Sequence, residues 1–243
     1  MKLIDTHAHL DFPEFDRNRD EVIARAKKED VSIIDCCLTP DGWEKVKDNK
    51  DLLLMIGCCP YRLEEFYPQF GLIEENISKI IGIGEIGLDY YWQKEQHGRD
   101  KEKENFLKLL KLAEDNDKPV LIHSRNAETH ALDILERQGV SRAIMHCFSG
   151  TPQEAERAIK LGYLVSIPTN VVLSKQKQDF AKKLPLERLV LETDAPYLSP
   201  EPGKVNEPVN VIKSAKKIAE LRRISFEEVC SVTTRNAREF FRI

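Results

Sequence analysis

Short apolar runs rich in β-forming residues recur along the chain at about 2–10, 31–39, 52–60, 80–88, 119–125, 142–149, 163–168 and 189–195. Their length and residue types predict eight strands. Between most of them the apolar residues repeat at helical spacing. Phe106, Leu109, Leu110 and Ala113 share one face, as do Ala131, Ile134 and Leu135, and again Ala155, Ala158 and Ile159. Two helix starts carry capping sequences, Thr151-Pro152-x-Glu154 and Ser225-x-x-Glu228. Alternating strands and helices predict an α/β fold with a parallel sheet covered by helices, either doubly wound or closed as a (β/α)8 TIM barrel. The count of eight favours the barrel. No linker, charge block or low-complexity tract interrupts the alternation, so a single domain spanning 1–243 is expected.

A chain of 243 residues can bury roughly 70–75% of its unfolded surface, so it does not need disulfide or metal staples to fold. Charged residues make up 32% and hydrophobic residues 41%, with 11 Gly and 12 Pro, which excludes disordered and collagen-like classes. Asp5 interrupts the first apolar stretch before a signal-peptide core can form, and no later run reaches membrane-spanning length. A cytoplasmic location without membrane association is the expectation. Lys and Arg number 37 against 41 Asp and Glu, a net charge of −4, so any nucleic-acid contact must be local. Cys36-Cys37 and Cys58-Cys59 stand as neighbouring pairs at the ends of apolar runs and read as buried thiols. Neighbouring strand residues face opposite ways, so each pair could offer a metal only one thiolate.

Metal-binding side chains collect where apolar runs end: His7 and His9 after KLID, Glu85 in IIGIGEIGL, His123 in PVLIHSR, His146 in AIMHCFSG and Asp194 in LVLETDAPY. Four of the six histidines are in this group, while His97 and His130 fall in helical or loop context. In a barrel the C-terminal strand ends converge on one face, where residues distant in sequence can share a centre. His-x-His suits one metal, because alternate strand residues point the same way. A carboxylate after an apolar strand needs a cation or hydrogen-bond partners to offset its desolvation. Gly82-x-Gly84-x-x-Gly87 formally matches a dinucleotide fingerprint, but LDYYWQKE follows instead of an immediate helix and Glu85 sits inside the glycine run. Those glycines are expected to make room beside Glu85. Four imidazoles and two carboxylates exceed the usual set for one catalytic metal and suit two divalent ions, with Glu85 the natural bridge. Zn, Mn, Co or Fe fits the imidazoles, whereas Mg prefers oxygen and water.

The motifs DTHAHLD, GEIGLDYY, PVLIHSR, MHCFSG, LETDAPYL and GKVNEP, in this order over almost the whole chain, resemble the TatD-type deoxyribonuclease family of metal-dependent hydrolases. That resemblance implies a (β/α)8 barrel with a two-metal centre and phosphodiester hydrolysis on DNA, commonly as a 3′→5′ exonuclease. It implies His7, His9 and Asp194 on one metal, His123 and His146 on the other, and Glu85 between them. Many members carry His-Pro-His where this chain has Cys59-Pro60-Tyr61. Asn126 stands for a frequent Asp, Val205 for a frequent Arg, and Ser166-Ile167-Pro168 lacks the usual glycine. All six metal positions are intact, so these departures bear on substrate choice and rate.

The expected chemistry is a two-metal hydroxide mechanism in which Asp194 and Glu85 are catalytic and Asp194 orients the nucleophile or accepts its proton. Arg125, Lys204 and Asn206 are the expected substrate contacts, and Tyr90, Tyr91 and Trp92 are candidates to stack an unpaired base. Asp5 and Glu192, each two residues from a ligand, are candidates to support it. DNA is the expected partner, and no obligate protein partner is inferred. Two other readings are a metal-dependent hydrolase of another ester or amide, such as a D-aminoacyl-tRNA deacylase, and a noncatalytic metal-dependent nucleic-acid-binding module.

Overall fold

The computed structural model describes residues 2–243. All eight predicted strands form: β1 (Leu3–Ala8), β2 (Val31–Cys37), β3 (Leu52–Ile56), β4 (Gly82–Asp89), β5 (Val120–Arg125), β6 (Ala143–Met145), β7 (Leu164–Pro168) and β8 (Leu189–Glu192). They belong to one sheet in the order β1-β2-β3-β4-β5-β6-β7-β8, that of a (β/α)8 barrel. Several apolar runs outlast their strands. Cys58 and Phe148 lie beyond the strands yet are buried, because the chain leaves the sheet before it leaves the interior.

Two bulges alter the predicted alternation. Asp5 pairs with Ile33 and Ala8 with Asp35, so three steps on β1 match two on β2. Ile83 pairs with Val120 and Ile86 with Ile122, the same mismatch between β4 and β5. An extra residue re-aims the side chains around it. Here the bulged segments contain His7 and Glu85. Glu85 therefore sits inside β4 rather than at its end, correcting its placement as a strand-end residue. All three glycines of the apparent nucleotide motif also lie within β4, where no strand-to-helix turn exists to hold a pyrophosphate.

The chain divides into two compact units. The first comprises the chain up to Asp35, Lys45–Leu53 and Ser166–Ile243. In it the end of β1 is laced to β8 and the segment after it: Asp194 N–H donates to His7 C=O (2.9 Å), His9 N–H to Ala195 C=O (2.8 Å) and Thr6 Oγ1 to Leu191 C=O (3.0 Å). The C-terminal helix Phe226–Phe241 opens on the predicted Ser225 cap, whose Oγ accepts Glu228 N–H at 3.0 Å. It buries Val229, Cys230, Ala237 and Phe241, and Asn236 Nδ2 donates to the carbonyls of Leu186 and Leu189.

The second unit comprises Cys36–Glu44 and Leu54–Val165. Helix Gln96–Asp115 buries the predicted face of Phe106, Leu109, Leu110 and Ala113. Helix Pro152–Lys160 begins with the predicted capping box, Thr151 Oγ1 accepting Glu154 N–H and Glu154 Oε2 accepting Thr151 N–H. Among the described residues none of the six cysteines is in a disulfide. Among the described residues no helix is long and apolar enough to cross a membrane.

Candidate metal sites

In the first unit β1 delivers His7, the position just past its end delivers His9, and the turn after β8 delivers Asp194. The Nε2 atoms of the two imidazoles are 3.0 Å apart, and Asp194 Oδ1 lies 3.5 Å from the first and 3.7 Å from the second. One point lies about 2.0 Å from all three atoms, the bond length of a divalent ion to imidazole and carboxylate. The donor set and its spacing thus fit a cation. His7 and His9 are almost wholly buried, whereas 15% of the Asp194 side chain is exposed. Asp194 has φ 57, a left-handed conformation that Asp and Asn tolerate better than most residues.

Asp5 supports this triad through the backbone. Its Oδ1 accepts Thr193 N–H (2.8 Å) and His7 N–H (3.3 Å), and its Oδ2 accepts Thr193 Oγ1–H (2.5 Å). Burial pushes the Asp5 carboxyl well above the usual range, against the lowering effect of those bonds. Asp5 thus ties together the backbones carrying His7 and Asp194.

In the second unit Glu85 on β4, His123 on β5 and His146 just after β6 place ligand atoms within 4.8 Å of one another. His123 Nδ1 faces Glu85 Oε1 at 2.5 Å, and its Nε2 faces Asp89 Oδ2 at 2.9 Å. Burial opposes charge on this ring, but Glu85 and Asp89 outweigh it and push the His123 pKa up to about 10. Asp89 is itself anchored, its Oδ1 accepting the N–H groups of Tyr91 (2.9 Å) and Trp92 (3.0 Å) and its own N–H donating to Glu102 Oε2 (3.1 Å). Burial raises the Asp89 pKa, yet the His123 contact holds it below the usual carboxylate range. Its carboxylate therefore claims Nε2–H and leaves Nδ1 for a cation, the usual way a carboxylate sets the tautomer of a metal-binding histidine. Sequence reading missed Asp89; its position closing β4, two strand-face steps beyond Glu85, was the available signal.

Asp89→Asn is expected to weaken metal binding by about 10–100-fold. The amide places a donor opposite His123 Nε2 and favours the Nδ1–H tautomer, which has no lone pair for the ion. Calorimetric titration with Zn or Mn measures the loss, and unchanged affinity would exclude this role.

Glycines bring the backbone close at this site. A Cβ on Gly57 would lie 2.2 Å from Glu85 N, and one on Gly87, whose φ is +147, 2.0 Å from His123 C=O. The buried Cys36 thiol donates to Gly84 C=O. Burial pushes the Cys58 and Cys59 thiols up to about 12, so both are protonated at neutral pH.

The expected substrate contacts separate. Arg125 is exposed, with its guanidinium 3.8 Å above the Tyr91 ring. Lys204 is exposed and paired with Glu201 at 2.5 Å. Asn206 is fully buried: Nδ2 donates to Thr169 Oγ1 and to the carbonyls of Thr193 and Tyr197, while Oδ1 accepts from Glu207 N–H and Asn210 Nδ2. This corrects the expectation of a substrate contact, because its amide is spent joining loops within the fold. Tyr90 is buried, whereas Tyr91 and Trp92 are exposed. His97 and His130 are exposed on helices, as expected.

Residues 4–242 match the family model described as TatD related DNase. The chain belongs to this family. It is 35% identical to human deoxyribonuclease TATDN3, covering 98% of this chain and 94% of that protein. It is 36% identical to the uncharacterized metal-dependent hydrolase YabD of Bacillus subtilis, covering 99% of each. The crystal structure of YJJV, a TatD homolog from Escherichia coli, superposes with a TM-score of 0.89 at 28% identity, covering 99% of this chain and 98% of that one. These matches establish the (β/α)8 barrel fold and a metal-dependent hydrolase of the TatD family, with buried His, Glu and Asp clusters suited to metal.

Proposed function

We propose that this TatD-family hydrolase is a divalent-metal-dependent deoxyribonuclease that removes nucleotides from DNA 3′ ends. In this reading His7, His9 and Asp194 hold one ion, His123 and His146 a second, and Glu85 serves both. The single observation that carries it is the triad of His7, His9 and Asp194, three donors from opposite ends of the chain equidistant from one cation-sized point. Kinship with a relative named as a deoxyribonuclease supports DNA as the substrate.

Two bound divalent ions would lower the pKa of water toward about 7 and stabilise charge on phosphoryl oxygens. The remaining work falls to the chain. The Asp194 carboxylate, the most open group of its triad, orients the attacking water and accepts its proton. Asp89 keeps His123 in one tautomer. Arg125, its guanidinium 3.8 Å over the Tyr91 ring, offers N–H groups to a phosphate. Lys204 adds charge from the last loop.

The test is cleavage of end-labelled single- and double-stranded DNA by the purified protein after chelation and after adding back Mn, Zn, Co or Mg. Shortening from the 3′ end that disappears with chelator and returns with metal is expected. Hydrolysis of an aminoacyl ester but not DNA, or DNA binding without turnover under every ion, would overturn the reading.

A further inference from the structure

Three of the exposed aromatic residues gather on one surface of the second unit. Tyr61, Tyr91 and Trp92 are 36%, 40% and 57% exposed, an unusual cost for large rings unless something covers them. The Trp92 ring centroid lies 6.0 Å from Tyr61 at an interplanar angle of 42°, and 5.0 Å from Tyr91 at 86°. None of these rings stacks face to face on another, and Trp92 and Tyr61 keep part of their surfaces exposed. Tyr91 is occupied differently, by the Arg125 guanidinium at 3.8 Å and Lys94 Nζ at 5.0 Å. Flat apolar faces are thus bordered by two cations on a protein whose net charge is −4.

This surface is fixed to the metal-ligand scaffold. The Tyr91 and Trp92 N–H groups donate to Asp89 Oδ1, and Asp89 Oδ2 contacts His123. Tyr61 belongs to the Cys59-Pro60-Tyr61 segment that departs from the family's histidine pattern.

Resting on the deoxyribonuclease reading and deepening it, we propose that Trp92 and Tyr61 form a stacking platform for an unpaired base of single-stranded DNA, with Arg125 and Lys94 taking neighbouring phosphates. Rings plus cations match the alternation of bases and phosphates on a single strand, whereas a paired duplex hides its base faces. The surface therefore selects frayed or single-stranded ends.

Intrinsic fluorescence provides a readout independent of turnover. The chain has two tryptophans, and Trp43 is buried with 3% exposure, so quenching by a stacked base reports Trp92. The full-length protein is titrated with phosphorothioate oligothymidylate, which resists cleavage, with and without divalent ions. The same titration uses an abasic strand of equal length and charge. Saturable quenching by oligothymidylate is expected, with affinity for the abasic strand lower by about tenfold. Trp92→Ala should abolish the quenching, and Tyr61→Ala should weaken binding of oligothymidylate but not of the abasic strand. Equal affinity for both strands, or no quenching, would overturn the platform. Quenching by a protein that never cleaves DNA would retain the platform and reject the nuclease; 3′ shortening without base-dependent binding would do the reverse.

Discussion

Asp194→Asn and Glu85→Gln are each expected to lower DNA cleavage by about a thousandfold or more, equivalent to roughly 4 kcal/mol of lost transition-state stabilisation. Both changes conserve shape and remove charge. Asn accepts the left-handed backbone that Asp194 adopts, and the bonds from Asp194 N–H to His7 C=O and from Tyr197 N–H to Asp194 C=O involve main chain only. The loss therefore reports the carboxylate rather than a misfolded turn. At position 85 the amide keeps one oxygen acceptor but cannot neutralise a cation held beside His123, whose Nδ1 lies 2.5 Å from the carboxylate. Steady-state cleavage of a labelled strand, with bound metal counted by elemental analysis, checks both variants. Wild-type turnover in either would remove that residue from the catalytic set.

Gly57→Ala is expected to cost about 3 kcal/mol, the upper end for overpacking, because the methyl group would meet main chain that cannot rotate away. Its Cβ would lie 2.2 Å from Glu85 N, 2.4 Å from Glu85 C=O oxygen and 2.4 Å from Gly84 C. Gly57 N–H donates to Cys37 C=O and Cys58 N–H to Glu85 C=O, so both flanking segments are already held. For a chain of this size the cost lowers Tm by roughly 6–12 °C. Displacement of Glu85 should weaken metal binding as well. Gly71→Ala is the control: nothing lies within 4 Å of its added Cβ inside helix Phe66–Asn76, so stability should hold or rise slightly. Thermal melts and metal titration of the two variants decide the matter. Equal Tm values would show that the backbone around Glu85 yields.

Several features were legible in the chain because local chemistry sets them. Buried strands need apolar runs, and each of the eight runs contains a strand. The Thr151 and Ser225 caps depend on residues three apart, and both form as read. The grouping of His7, His9 and Asp194 was implied by the family resemblance rather than by any local pattern, and the fold brings these three side chains together. Other features were not legible. Asn206 had the polar character of a substrate contact, yet its partners Thr169, Thr193 and Tyr197 come from separate segments, so its role depends on where they are brought. Asp89 was not singled out in the sequence, because its role depends on His123 and two backbone N–H groups that the fold brings to it.

Hydrophobic periodicity, capping residues and the inventory of donor side chains determined the order of elements and the chemistry available to this protein, because they act over a few neighbouring residues. Tertiary structure decided which donors meet and how they point. Strand register cannot be read from one strand alone. The bulges at His7 and Glu85 exist only relative to β2 and β5, and the approach of Gly57 to Glu85 exists only when β3 and β4 are paired.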